Sequence, residues 1–209
     1  MKSRPAIIVL AAGRGSRFRG LQHKLEQSLG GSSVLGSTLS NALGTGLPVL
    51  VVTTEPLAEL VGSHVATRDI VVLPAVGSVA SQALGMGYSI AAGVAARSDA
   101  SGWIMLPADM PMVQPGTLLA VAHELESHPI AYAQYRGRRG HPVGFAAELY
   151  SELVMLSGDE GARRLVARYP SQAVEADDPG VLLDVDTEDD LARVRVAQQA
   201  SIGLGGLAR

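Results

Sequence analysis

The sequence predicts an α/β fold of three layers, with helices on both faces of a mostly parallel central sheet. Three observations predict it. Short apolar runs occur at 6–12, 48–54, 70–73 and 103–106, the first three rich in β-branched residues. Stretches with helical spacing of apolar residues lie between them, and glycine and proline punctuate the joins. Strand and helix signals that alternate in this way build βαβ units. In open sheets of that kind ligands bind beyond the carboxyl ends of the strands, so the loops after the apolar runs are where function is expected.

The 209 residues are 47% apolar, enough for a sizeable core, and a single domain is expected over 1–198, followed by a flexible glycine-rich tail over 199–209. A net charge of −3 supplies no basic field for nucleic acid, so a locally basic segment reads as a site for a small anion. Without cysteine there is no disulfide, thiolate metal site or cysteine nucleophile, a usage compatible with the cytosol. The apolar run after Met1, Lys2, Ser3 and Arg4 is too short for a secretory signal and leads into arginines. No run of about 18 apolar residues occurs. A cytoplasmic protein without membrane contact is therefore expected.

The first run, 6–12, reads as a strand buried on both faces. Gly13 and Gly15 then permit a sharp turn, and Arg14, Arg17, Arg19 and Lys24 gather cations beside unpaired backbone amides. That combination suits a polyphosphate, which main-chain dipoles and guanidinium groups neutralise together. A P-loop is excluded because Leu25, and no Ser or Thr, follows Lys24. A dinucleotide fingerprint would need glycine where Phe18 stands.

Ser32 and Ser33 offer a cap to a helix whose Val34, Leu35, Leu39 and Leu43 face inward before the stop at 44–46. A second buried strand follows at 48–54, then a short helix at 55–61 and a short strand at 70–73. The small-residue stretch 77–96 reads as a flexible start and a helix packed close to the sheet. Within it Ser89 can serve as a helix cap. The strand ending at Leu106 delivers Asp109 to its carboxyl end, just before Pro111 stops the chain. Asp109 lies too far upstream to cap the helix expected from Pro115, and a lone carboxylate so placed suits Mg²⁺, which takes one or two carboxylates and shares phosphate oxygens.

That helix, 115–127, should turn Leu118, Leu119, Val121, Ala122 and Leu125 inward. A strand at 130–135 leads through a turn at 137–140 to His141. Arg138 and Arg139 meet an acidic acceptor or form a solvated turn. Helices are expected at 148–156 and 160–168. In 182–186 a strand end places Asp184 and Asp186 on one face, a costly pair without a compensating cation, which supports a metal site shared with Asp109. Thr187 with Asp190 then caps the last helix.

Leu10-Ala11-Ala12-Gly13-Arg14-Gly15-Ser16-Arg17-Phe18, with Lys24 after it, resembles the signature loop of the MobA-like nucleotidyltransferase superfamily. Phe18 stands for the usual Met, His23 for the usual Pro, and the interval from Arg17 to Lys24 is longer by two residues than in the nearest subgroup. Gly85-Met86-Gly87-Tyr88-Ser89-Ile90 and Ala108-Asp109-Met110-Pro111 resemble two further motifs of the same enzymes. Gly140-His141-Pro142, Gly158-Asp159-Glu160-Gly161-Ala162 and Asp184-Val185-Asp186-Thr187 are similar to those of the molybdenum cofactor (molybdopterin) cytidylyltransferases.

The resemblance implies a Rossmann-like nucleotidyltransferase fold. It implies an NTP bound by Leu10 to Arg17, Lys24, Gly85 and Ser89, with Arg17, Lys24 and Asp109 catalytic and Mg²⁺ on Asp109 and Asp186. His141 and Asp184 would face the substrate, a phosphorylated small-molecule acceptor. Ala11-Ala12-Gly13 is like the cytidylyl version of the loop, which favours CTP. A molybdopterin-type acceptor and a molybdoenzyme partner follow from the subgroup. A sugar 1-phosphate nucleotidyltransferase, an NAD(P)H-dependent oxidoreductase of heteroaromatics and a non-catalytic cofactor carrier or chaperone are the alternatives.

Overall fold

The structure is a computed structural model that describes residues 3–13, 15–20, 22–74 and 85–205, with side chains described as far as residue 200. The readings made for Arg14, for 77–84 and for 206–209 fall outside the described residues. Seven strands form one sheet: β1 (Ala6–Ala11), β4 (Val49–Thr54), β5 (Ile70–Leu73), β6 (Gly102–Pro107), β7 (Ile130–Tyr135), β8 (Arg138–Ala146) and β9 (Ser171–Glu175). Two-residue strands β2 (Ser28–Leu29) and β3 (Ser32–Ser33) make a separate small ribbon. The order across the large sheet is β5-β4-β1-β6-β8-β7-β9. Strands β5, β4, β1 and β6 run parallel, β8 is antiparallel to both β6 and β7, and β9 pairs parallel with β7. The predicted α/β fold with a mostly parallel sheet is the fold observed.

Alternation along β1 explains the layers. Ile7, Val9 and Ala11 face one core with α1 (Val34–Leu43), α2 (Glu55–Gly62), α4 (Pro115–Glu124) and α7 (Glu188–Gly205). Ala6 and Ile8 face the other with α3 (Gly85–Ala96), α5 (Tyr150–Leu153) and α6 (Arg163–Arg168). Both faces of β1 are buried except at Leu10, which is half-buried at the cavity end, as a central strand requires. Small residues let α3 lie close to the sheet. A Cβ on Gly93 would stand 2.5 Å from Ile8 Cγ2 and 3.0 Å from Val52 Cγ2.

Several local expectations are corrected. Leu43 and Leu119 lie to the side of their helices' buried stripes and are 44% and 42% exposed. The turn between β7 and β8 is shorter than 137–140: Arg136 and Gly137, at φ 49° and 74°, turn the hairpin, and Arg138 to Gly140 already belong to β8. The helices expected at 148–156 and 160–168 shorten to α5 and α6. The polar strand β9 carried no apolar alternation to announce it. The 182–186 segment is not a strand. A 3-10 turn, Pro179–Leu182, precedes it, and it then runs extended outside the sheet. Helical backbone continues past Gln199 to Gly205.

Candidate functional site

The carboxyl ends of β1 and β6 open on a cavity of about 500 Å³. Around it stand Leu10, Ala11, Ala12, Gly13, Gly15, Ser16, Arg17 and Lys24 from the first loop, Gly85 and Ser89 from α3, and Asp109 and Asp186. Leu10 and Leu25 both line the cavity, and the side chain of His23 ties the end of this segment back to its start. His23 accepts from Leu25 N at 3.2 Å through Nδ1, and its Nε2 stands 3.3 Å from Gly13 O. Glu26 Oε2 accepts from His23 N at 2.9 Å, so His23 and Glu26 form a reciprocal cap on the 3-10 turn Lys24–Glu26. His23 thus fixes Lys24 at the floor of the cavity.

Asp109 reaches the same floor from the opposite wall. Its turn is held by buried polar contacts: Thr38 Oγ1 donates to Ala108 O at 2.9 Å, and Asn41 Nδ2 to Pro111 O at 2.9 Å. Val185 N donates to Asp109 O at 2.9 Å, which draws the 184–186 segment alongside. Upstream, the 2% exposed Asp178 accepts from Gln114 N, Thr117 Oγ1 and Gly180 N at 2.9, 2.7 and 3.0 Å. Close packing leaves little slack there. A Cβ on Gly180 would stand 2.2 Å from Met112 O, and one on Gly140 2.1 Å from Val181 O.

The charges converge as a result. Lys24 Nζ lies 2.6 Å from Asp109 Oδ2 and 2.7 Å from Asp186 Oδ1, and Arg17 Nη1 lies 2.7 Å from Asp186 Oδ2. Lys24 is 8% exposed, whereas the Arg17 side chain is 75% exposed. Burial works against the Lys24 ammonium, but the charges and hydrogen bonds of Asp109 and Asp186 outweigh it and raise its pKa above the usual lysine value. Asp186 shows the mirror image: burial opposes its charge, yet Lys24 and Arg17 hold its carboxyl below the ordinary range. Asp184 behaves oppositely. Burial and then the adjacent Asp186 raise its pKa above the ordinary carboxylate value.

One atom in the cluster lacks a partner. Asp109 Oδ1 is buried and accepts no hydrogen bond. An unsatisfied buried carboxylate oxygen is costly unless a cation or donor joins it, so Asp109 with Asp186 fits a hard divalent ion that shares phosphate oxygens. Among the described residues no group of three or more His, Cys, Asp or Glu is placed to hold a metal on its own. Such an ion would therefore need oxygen from a ligand as well.

His141 and Asp184 stand outside the cavity wall. His141 lies on β8 before a cis peptide to Pro142. Its surroundings lower its pKa, chiefly by desolvation and further through Arg139, while the Asp109 charge acts in the opposite sense. The Arg139 guanidinium lies 4.3 Å from the centre of the Tyr132 ring. Ser89 does not cap α3, since it is the fifth residue of that helix and is buried against the cavity. Sequence reasoning had not singled out His23, Thr54, Leu73, Pro74 or Asp159 as lining residues. For Thr54 and Leu73 the signal was present, because each ends a parallel strand. Asp159 is brought in by a contact that no spacing reveals: a Cβ on Gly85 would stand 2.2 Å from the Gly158 carbonyl carbon, so loop and helix interlock.

Residues 7–174 match the family described as the MobA-like NTP transferase domain. The chain belongs to that family. Purine catabolism protein PucB of Bacillus subtilis is 31% identical over 198 residues, which span 91% of this chain and 95% of PucB. Rv0371c of Mycobacterium tuberculosis is similar in structure, with a TM-score of 0.76 and 28% identity over 92% of this chain and 98% of the other. A structure of Rv0371c in complex with manganese superposes over the same shares at a TM-score of 0.72. As a MobA-like NTP transferase domain, the chain lines the cavity with Leu10 to Gly13 and Gly15 to Arg17 of the first loop and with Asp109 after β6. Among the described residues no helix is long and apolar enough to cross a membrane.

Proposed function

We propose that the protein transfers CMP from CTP to the phosphate of a molybdopterin-type acceptor and releases pyrophosphate, with Mg²⁺ as its divalent ion. The observation that carries this reading is the meeting of the first loop with Asp109 and Asp186 around Lys24, beside the unpartnered Asp109 Oδ1. The acceptor phosphate is already a competent nucleophile, so the reaction asks for alignment and charge neutralisation and needs no general base. Amides of Gly13, Gly15, Ser16 and Arg17 suit the triphosphate, while Leu10, Ala11, Ala12, Gly85 and Ser89 form the wall toward ribose and base. Lys24 and Arg17 neutralise charge that builds on the departing pyrophosphate. Asp109 and Asp186 would hold Mg²⁺, which when bound polarises phosphate oxygen as a Lewis acid. His141 and Asp184, beyond the cavity, bound the approach of the acceptor.

The preference for CTP rests on Ala11 and Ala12, and that for a molybdopterin-type acceptor on the motifs around His141 and Asp184 to Thr187. The manganese complex of the similar Rv0371c supports a divalent ion in this family. A sugar 1-phosphate is the acceptor in a second reading. It is favoured by the interval from Arg17 to Lys24, which is closer to that of the sugar-nucleotide pyrophosphorylases. The deciding experiment measures pyrophosphate release with each of the four NTPs, offering molybdopterin or N-acetylglucosamine 1-phosphate. Release dependent on CTP and molybdopterin is the expected outcome. Release only with the sugar phosphate would transfer the function to the second reading.

A further inference from the structure

We propose that Lys24 is a resident counter-cation: it fills the divalent-ion position between Asp109 and Asp186, and yields it when metal and triphosphate arrive together. The inference rests on the reading of those two carboxylates as the metal ligands.

Lys24 Nζ is within 2.7 Å of one oxygen from each carboxylate, so it bridges the two groups that a metal would have to bridge. A divalent ion cannot join both carboxylates while the ammonium stays. Two cations within a few ångströms repel strongly in a half-buried site. The unpartnered Asp109 Oδ1 marks where an incoming ion gains its first protein oxygen without disturbing Lys24.

The backbone of Lys24 has little freedom to move, because His23 and Glu26 cap its turn and Leu25 is buried. Displacement must therefore occur in the four-carbon side chain, whose rotamers permit it. A leaving ammonium needs a new anion, and the triphosphate that the first loop suits would supply one. The arrangement makes metal and nucleotide promote each other's binding, since each removes an obstacle to the other. Metal by itself binds weakly because it must displace a cation that is paired with both carboxylates.

The test uses Mn²⁺ alone, followed by electron paramagnetic resonance without nucleotide. Lys24→Met should bind Mn²⁺ at least about tenfold more tightly than the unaltered chain. Arg17→Met serves as the control for mere loss of charge, because Arg17 touches only the outer oxygen of Asp186 and does not bridge to Asp109. Its affinity should change by less than about threefold. Equal or weaker Mn²⁺ binding by Lys24→Met, an equal gain in both variants, or no Mn²⁺ bound by any of the three proteins would overturn the proposal.

A second measurement needs no variant. Acylation of the 8% exposed Lys24 by an amine reagent, located by mass spectrometry, should rise severalfold at saturating Mn²⁺. Unchanged labelling at saturation would contradict displacement. Neither readout involves an acceptor or turnover. Tighter Mn²⁺ binding without CMP transfer would thus sink the proposed reaction and leave the role of Lys24 standing.

Discussion

Cations in the two halves of the sheet are held in different ways. Beside the parallel strands β1 and β6, Lys24 is buried and pinned between two carboxylates, and Arg17 is tied to one of them. On the antiparallel hairpin of β7 and β8, Arg138 and Arg139 are exposed and form no ion pair with a carboxylate among the described residues. Arg139 is held instead by the face of Tyr132. The first arrangement is balanced internally and must be rearranged by a ligand. The second keeps a positive surface available at no cost in buried charge. The first suits chemistry at a fixed point, and the second suits capture of an anionic partner.

The sharpest way to break this contrast is to remove charge from the balanced cluster. Asp109→Asn keeps the shape and should lower pyrophosphate release by about a hundredfold or more if a metal there stabilises charge in the transition state. Turnover close to that of the unaltered protein would remove Asp109 from the chemistry. A smaller effect is expected where the cluster is supported from outside. Asp178→Ala leaves three donors, two of them buried, without their acceptor and should cost about 2 kcal/mol in denaturant unfolding. It should also lower turnover, because the chain from Asp178 to Asp186 is what brings the second carboxylate to Lys24.

The hairpin cations call for a milder change. Arg139→Gln should raise the acceptor KM about three- to tenfold and leave the CTP KM unchanged, as expected for an exposed charge that captures an anion. A shift in the CTP KM of the same size would erase the division between the two regions. The smallest effect concerns pH. His141 has a folded-state pKa below the ordinary value of 6.5, so the unfolded chain binds more protons just under that pH. Its contribution to stability is complete above about pH 6.5 and is lost as pH falls through the window beneath. On going from about pH 7.5 to about pH 5.5, His141→Gln should lose less Tm than the unaltered protein. An equal loss in both would show that His141 ionises alike in the two states.

Legibility in the sequence followed the same division. The apolar runs of β1, β4 and β6 and the glycines after β1 could be read because a strand buried on both faces and a turn at a strand end leave local marks. Asp109 was legible for the same reason. Asp186 was assigned to the correct cluster through a wrong element, since 182–186 is no strand and its place is set by Val185 N on Asp109 O and by the buried Asp178. Contacts over such distances in sequence leave no periodic trace. His23 looked like a departure from the family loop and instead locks it, through bonds to Leu25 N and across to Gly13 O. The expectation for Lys24 was a phosphate contact. The structure places it between Asp109 and Asp186 instead, because a buried ammonium takes the nearest anions.

The most direct test of the account is a crystal structure with CTP and Mg²⁺ bound. It predicts the triphosphate along Gly13 to Arg17, the base beside Gly85 and Ser89, the ion on Asp109 Oδ1, and Lys24 withdrawn from between the two carboxylates. A nucleotide bound outside this cavity, or an ion seated with no contact to Asp109, would contradict it.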